Sequence, residues 1–401
     1  MHAAHSQSAW KFKGSSLLAS GFRPTFLAAG IAASLLIPLW ALIWTDRVTL
    51  PGYWPPTLWH AHEMVFGFVA VAIAGFLLAA VPSWTGDRGF SGAPLAILLT
   101  LWLSARVLVA TSVAWLATVT LVIDVAFLVL LGILVAPPLL RASNRNKVLL
   151  IVLALLAACN ATFHWALAHQ NPPLAFHAIL VAIDIVLLLV TVIGGRIVPA
   201  FTGNALRAGG SALHVGTLPG VGPAAIAVMI GIVLVDLFGP DTRAAGVLAA
   251  VAAVVHALRM VQWRSMATLR SPIVWILHLA YVWLPIGLVL KALALLSGLA
   301  LAAFWLHALT IGALATMILG VMSRAALGHT GRPLIVDPAV TLGYLLLFAA
   351  ALIRVFGLSV LRLPYPEIVV ASATCWTLAF GIFLYIYAPV LSSVRVDGKP
   401  G

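Results

Sequence analysis

The chain has 401 residues, a net charge of +12 and a mean hydropathy of +1.14, with only 8% charged residues. Soluble domains carry roughly 25%, so a water-soluble globular protein is excluded. Lys and Arg fall between apolar runs, with no basic face mixed with aromatics, which excludes a nucleic-acid site. Cys159 and Cys375 both sit inside apolar runs and read as small buried hydrophobes, without an extracellular disulfide framework.

The N-terminal stretch MHAAHSQSAWKFKGSSLLASGFRP lacks an apolar core followed by a small-residue cleavage site, so no removed signal peptide is expected. His2 and His5 within it read as solvated. Runs of about 20 apolar residues then recur, each long enough to cross the hydrocarbon as a helix. Twelve spans are expected at roughly 25–44, 58–82, 93–113, 116–138, 147–169, 174–201, 219–239, 243–262, 273–297, 300–322, 338–358 and 367–390. Pro and Gly punctuate the connections, as in LPGYWPPTL and HQNPPL. No long soluble insertion interrupts them. The expectation is one all-α polytopic membrane domain over 1–401, with short tails.

The positive-inside rule tests this count. With a cytoplasmic N-terminus, that side holds fifteen Lys and Arg, from Lys11, Lys13 and Arg23 to Arg395 and Lys399. The other side holds only Arg47, Arg243 and Arg362, and Arg106, Arg196, Lys291 and Arg354 lie within spans. A missed helix would scramble that bias, so both termini are expected in the cytoplasm.

Spans 2 and 10 share a spacing. His62, Gly67, Gly75, Thr85 and Gly86 match His307, Gly312, Gly320, Thr330 and Gly331 as H-x4-G-x7-G-x9-T-G. Span 6 joins at its end, where IVPAFTGN (197–204) echoes AVPSWTGD (80–87). The Gly of each Thr-Gly suits a left-handed helix end, and the in-span glycines let neighbouring helices approach. Three related spans four apart suggest a pseudo-threefold array of four-helix units. That plan resembles the main subunit of haem–copper oxidases and nitric-oxide reductases, with ligand histidines on helices 2, 6 and 10.

Orientation assigns depth to the ionisable groups. His60, His62 and Glu63 open span 2 at the outer face; His164 and His169 end span 5 there, His177 opens span 6, and His307 lies near the start of span 10. His60 and His62 point to different sides of a helix, whereas His60 and Glu63 share a face. Asp184 follows His177 by one heptad on nearly the same face, placed to bond a ligand or carry protons. Arg106 and Arg354 in the outer half suit haem propionates or snorkel to headgroups. The inner half holds His256, His278 and Arg196, with Arg324, His329 and Arg332 just beyond. A lone histidine at a helix end, such as His169 or His214, reads as interfacial. His62 and His307 occupy equivalent places in the repeat and enter the membrane, where an ionisable group is costly and a candidate for function. Walker, GxGxxG, CxxCH and GxSxG motifs are absent.

The blocks GFRPTFL (21–27), WHAHEMVFGF (59–68), GGRIVPAFTGN (194–204), HLAYVWLPIG (278–287) and HALTIGALATMILGVMSRAALGHTGRPL (307–334) together resemble the NnrS family over about residues 20–390. The resemblance implies a bacterial inner-membrane protein of the nitric-oxide response and denitrification. It implies haem b, a second metal (copper or non-haem iron) and nitric oxide as the small molecule. On this reading His62 and His307 are the foremost haem ligands, with His278 a further candidate. His60, Glu63, His164 and His177 serve the second metal or proton delivery, and Glu63 and His60 are the candidate catalytic groups. His329 is a further metal candidate, and Arg106, Arg196, Arg324, Arg332 and Arg354 are candidates to hold the cofactor. His278 falls toward the inner side, which requires either a ninth span shifted in depth or a second, inner haem. The expected activity is reduction of nitric oxide to N2O with electrons from a quinol or small redox protein. The alternatives are a transporter or handler of metal, haem or iron–nitrosyl species, and a haem-based sensor without turnover.

Overall fold

The computed structural model describes residues 16–142 and 145–398. Lys11, Lys13, Lys399, His2 and His5 lie outside the described residues. Twelve helices are long and apolar enough to cross a membrane. They are α1 Phe22–Trp44, α2 Pro56–Thr85, α3 Ala93–Thr111, α4 Ala114–Arg141, α5 Val148–Ala168 and α6 Pro172–Ala208. They continue as α7 Val221–Phe238, α8 Arg243–Met260, α9 Pro272–Ser297, α10 Ala300–His329, α11 Pro338–Phe356 and α12 Tyr365–Ser392. No strand occurs among the described residues. The chain is therefore an all-helical, multi-span membrane protein.

Every expected span is present, but several run longer than their apolar stretch. The expected 174–201 becomes Pro172–Ala208, and 300–322 becomes Ala300–His329. Hydropathy marks where side chains turn polar, whereas backbone hydrogen bonding continues until a residue breaks it. Gly86 (φ 71°) after α2 and Gly331 (φ 76°) after α10 adopt the expected left-handed conformation. The third Thr-Gly behaves differently. Thr202 and Gly203 lie inside α6, which runs on to Ala208 and is closed by Gly209 and Gly210. The Thr-Gly signal alone does not stop a helix whose following residues, NALRA, still favour one.

The repeat has a structural counterpart. α2 switches to π-helical winding over Glu63–Val69, directly after His62. α10 does so over Ala308–Ala315, directly after His307. π segments leave ladder groups to be met otherwise and recur at functional sites. Here the Trp102 indole of α3 donates to the Gly67 carbonyl at 2.8 Å. The Thr316 hydroxyl donates to the Ile311 carbonyl at 3.1 Å.

α2, α6 and α9 are the most enclosed helices, with 83%, 78% and 72% of their most apolar windows buried, against 22% for α7. Outer helices turn Leu103, Leu234, Val254 and Leu378 to the surroundings, as lipid-facing positions require. α1 packs on α12, where Arg23 donates to the Leu391 carbonyl at 3.0 Å and Trp376 to the Ala33 carbonyl at 2.9 Å. α2, α6 and α10 touch one another pairwise. An apolar cavity lies among them, lined by residues such as Val69, Ile193 and Met317. It meets a larger cavity of about 430 Å³ at the end where α2 terminates, and both share Phe76, Ile197 and Val321.

Candidate metal and histidine sites

At the end where α2 begins, six side chains form one buried polar network. His62 and Glu63 come from α2, Arg106 from α3, Asp124 from α4, and Asn160 and His164 from α5. All but Arg106 are at most 4% exposed. Such a group persists in apolar surroundings only if its members pair with one another. Arg106 does most of this, donating from Nη1 to Glu63 and from Nη2 to Asp124. Asp124 Oδ2 also accepts from Asn160 Nδ2 at 2.9 Å and lies 3.0 Å from His164 Nε2. Trp54 closes the site from the preceding loop, edge-on to His62 and His164 at 5.1 and 5.4 Å.

His62 is the unusual member. Its Nδ1 faces Glu63 Oε1 at 3.2 Å, and its Nε2 lies 3.0 Å from both Asp124 Oδ2 and Asn160 Oδ1. A neutral imidazole has one N–H, so one ring nitrogen lacks a hydrogen. The charges agree: two carboxylates against one guanidinium leave one negative charge. A second ring proton closes this deficit; a monovalent metal cation would also close it, and a divalent one would leave one positive charge. One ligand atom each from His62, Asp124 and His164 lies within 4.8 Å of the others. Two imidazoles and a carboxylate form a donor set suited to iron or copper, so the residues present fit a second metal.

His60 leads elsewhere. Its ring stacks on Trp40 of α1 at 4.4 Å. The His307 ring lies edge-on to Phe304 at 6.4 Å. The Arg354 Nη2 donates to the Tyr365 hydroxyl at 2.7 Å, its guanidinium lies over the Phe304 and Tyr365 rings, and its Nη1 is buried without a partner. An aromatic chain links this region to His60: Phe304 stacks on Tyr365, Tyr365 meets Trp44, and Trp44 packs on Trp40, on which His60 stacks. His60 and Glu63 have different partners, Trp40 for His60 and Arg106 for Glu63. Glu63 opens the π segment and turns with His62 toward α3 and α4. Imidazoles suit a haem iron and an unsatisfied guanidinium N–H suits a propionate, so these residue types would fit such a group.

The remaining expected residues fall in three places. His177 stands apart from the other histidines, with its Nε2 donating to the Asp236 carbonyl at 2.7 Å. Asp184 reaches the same Asp236, as their shared face requires. At the opposite end, His278 has both ring nitrogens on hydroxyls, Thr202 Oγ1 at 2.7 Å and Ser265 Oγ at 2.9 Å. His256 meets the Tyr281 hydroxyl at 2.9 Å beside Arg259. Arg324 lies 3.8 Å above the Phe201 ring and lines the 430 Å³ cavity together with His329. Arg196 donates to Asn146 Oδ1 at 3.0 Å, and Arg332 to Ser393 Oγ at 3.1 Å.

No motif singles out Asp124, Asn160 or Asp236. The available signal is cost: a lone Asp within TVTLVIDVAFLVL is expensive in a membrane helix and marks a partner-bearing position.

Compared with known proteins, the chain matches the family model described as NnrS protein over residues 16–395. No curated protein matches it.

Proposed function

The chain belongs to the NnrS family, and from that premise we propose that it is a membrane metalloprotein that binds nitric oxide and reduces it to N2O, protecting the cell from nitrosative stress. Family membership fits a role in the nitric-oxide response. The observation that carries the metal reading is the buried His62–Asp124–His164 set, in which one ligand atom of each residue lies within 4.8 Å of the others. In this reading those three residues hold copper or non-haem iron, Asn160 and Arg106 orient Asp124, and Glu63 stands beside His62 to pass a proton. His307 and His60 are the imidazoles available to hold haem b, with Arg354 for a propionate. Haem held through one of them would keep an iron position free for nitric oxide and supply a redox site. The reaction, two NO with two electrons and two protons giving N2O and water, draws its electrons from a quinol or a small redox protein. His278, with Thr202 and Ser265 on its ring nitrogens at the opposite end of the bundle, takes no part in this site.

The architecture supports the oxidase-like plan. α2 and α10 carry matched π segments after His62 and His307, and α2, α6 and α10 enclose a common cavity. We read the chain as one membrane domain in the bacterial inner membrane. Its Arg-rich connections face the cytoplasm, as does the end where Arg23 meets Leu391.

The test is anaerobic turnover. Purified protein with an artificial electron donor is expected to consume NO and release N2O, with metal analysis and a pyridine-haem spectrum on the same preparation. Haem and metal present without N2O under any donor would replace this reading with a sensor or a handler of metal.

A further inference from the structure

The Lys291 group is separate from the histidines proposed to hold metal and haem. Asp184 of α6, Asp236 of α7 and Lys291 of α9 are 4%, 2% and 1% exposed. Lys291 Nζ donates to Asp236 Oδ2 and lies 4.9 Å over the Trp305 ring. The His177 ring reaches only the backbone carbonyl of Asp236. The other carboxyl oxygen, Asp236 Oδ1, is buried and receives no hydrogen bond from any N–H or hydroxyl. Its carboxyl is nevertheless in side-chain hydrogen-bond contact with that of Asp184.

Two ionised carboxylates have no hydrogen to place between them. They also repel, and where two share a buried site one keeps its proton. Lys291 balances one negative charge and leaves the second unbalanced. We infer that Asp184 and Asp236 share one exchangeable proton at neutral pH, so that with Lys291 they form a proton-binding site inside the helix bundle.

The orphaned Asp236 Oδ1 is then the acceptor of the Asp184 carboxyl hydrogen, and the group is neutral overall. Because α6, α7 and α9 each contribute one member, a shift of α7 against α6 separates the carboxyls and releases the proton. The site is a reserve for proton-consuming chemistry at the same end of the bundle. It does not depend on the identity of that chemistry.

The experiment is infrared spectroscopy of the full chain in lipid nanodiscs at neutral pH, in H2O and in D2O. The wild type is expected to show a carboxylic-acid C=O band that moves down in D2O. Asp184→Asn is expected to lose it. Lys291→Met removes the balancing charge, so both carboxyls protonate and the band grows about twofold. A wild-type-minus-Asp184→Asn difference containing only ionised carboxylate bands overturns the inference. So does a wild-type band that sodium chloride abolishes and choline chloride does not, which identifies a metal cation as the occupant. If neither variant folds, titration of the wild type decides alone: no carboxylic band at neutral pH rejects the shared proton. Loss of NO turnover with the band intact would reject the proposed activity and leave this site standing.

Discussion

His62 Nε2 lies 3.0 Å from Asp124 Oδ2, joining the first residue of the repeat motif to a carboxylate on a helix outside the repeat. The π segment starts at Glu63, and His62 and Glu63, neighbours in the chain, bond each other and partners on α3, α4 and α5.

Replacing His164 by Ala or Asp124 by Asn is expected to remove one metal equivalent while haem absorbance stays at the wild-type level. Asn160 touches no metal in this reading but holds Asp124 and faces His62. Asn160→Ala is therefore expected to weaken metal affinity about 10–100-fold without abolishing it, the usual cost of losing an orienting partner. Chelator competition against the purified protein measures both. Equal metal content in all three variants sinks the site.

His60 and His307 give a second, separable result. Each change to Ala is expected to lose haem or alter its ligation in a pyridine-haem and low-temperature absorbance measurement. The repeat singles out His62 with His307 as the haem ligands; the structure links His307 to His60 through the rings of Phe304, Tyr365, Trp44 and Trp40. If His62→Ala loses haem and His60→Ala keeps a wild-type spectrum, the pairing by repeat holds and the aromatic link has no role in ligation.

Much of this is legible in the sequence, for identifiable reasons. Spans are written in hydropathy, so all twelve can be read there, and charge bias orders their alternation. The repeat spacing locates the two π segments to the residue after each histidine, although nothing in the spacing announces the winding itself. Side-chain partners depend on which helices lie alongside, so the Trp40 stack of His60 and the Arg106 bridge of Glu63 are not legible. Asp124, Asn160 and Asp236 lie on α4, α5 and α7, outside any motif, and gain their meaning only from helices brought beside them in the fold.

Arg106 supplies a stability prediction. It holds Glu63 and Asp124 together in a site only 2–3% exposed at either carboxylate. Arg106→Met leaves two buried carboxylates without their cation and is expected to destabilise the protein by about 3–5 kcal/mol. Arg106→Lys keeps the charge but cannot reach both carboxylates with a planar fork, so it recovers only part of the loss. Thermal unfolding in one detergent, with all samples at matched metal loading, checks the order wild type, Lys, Met. A Met variant as stable as wild type contradicts a charge balance in which Arg106 neutralises one of the two carboxylates.

The two equivalent glycines of the repeat separate packing from chemistry. A Cβ on Gly312 would overlap the rigid Trp283 indole, whereas a Cβ on Gly67 would sit 3.0 Å from Arg106 Nη1 and 3.2 Å from Glu63 Oε2. An indole wedged between α9 and α10 cannot yield without moving a helix, so Gly312→Ala is expected to cost about 1–3 kcal/mol of stability. The ends of Arg106 and Glu63 can give by a few tenths of an ångström. Gly67→Ala therefore costs less stability but loosens the bridge that orients Asp124. The expected outcome is a crossed pattern: the larger fall in melting temperature in Gly312→Ala, and the larger loss of metal affinity in Gly67→Ala. Melting curves and chelator competition on the two variants decide it, and the same ranking in both measurements would show that these glycines serve packing alone.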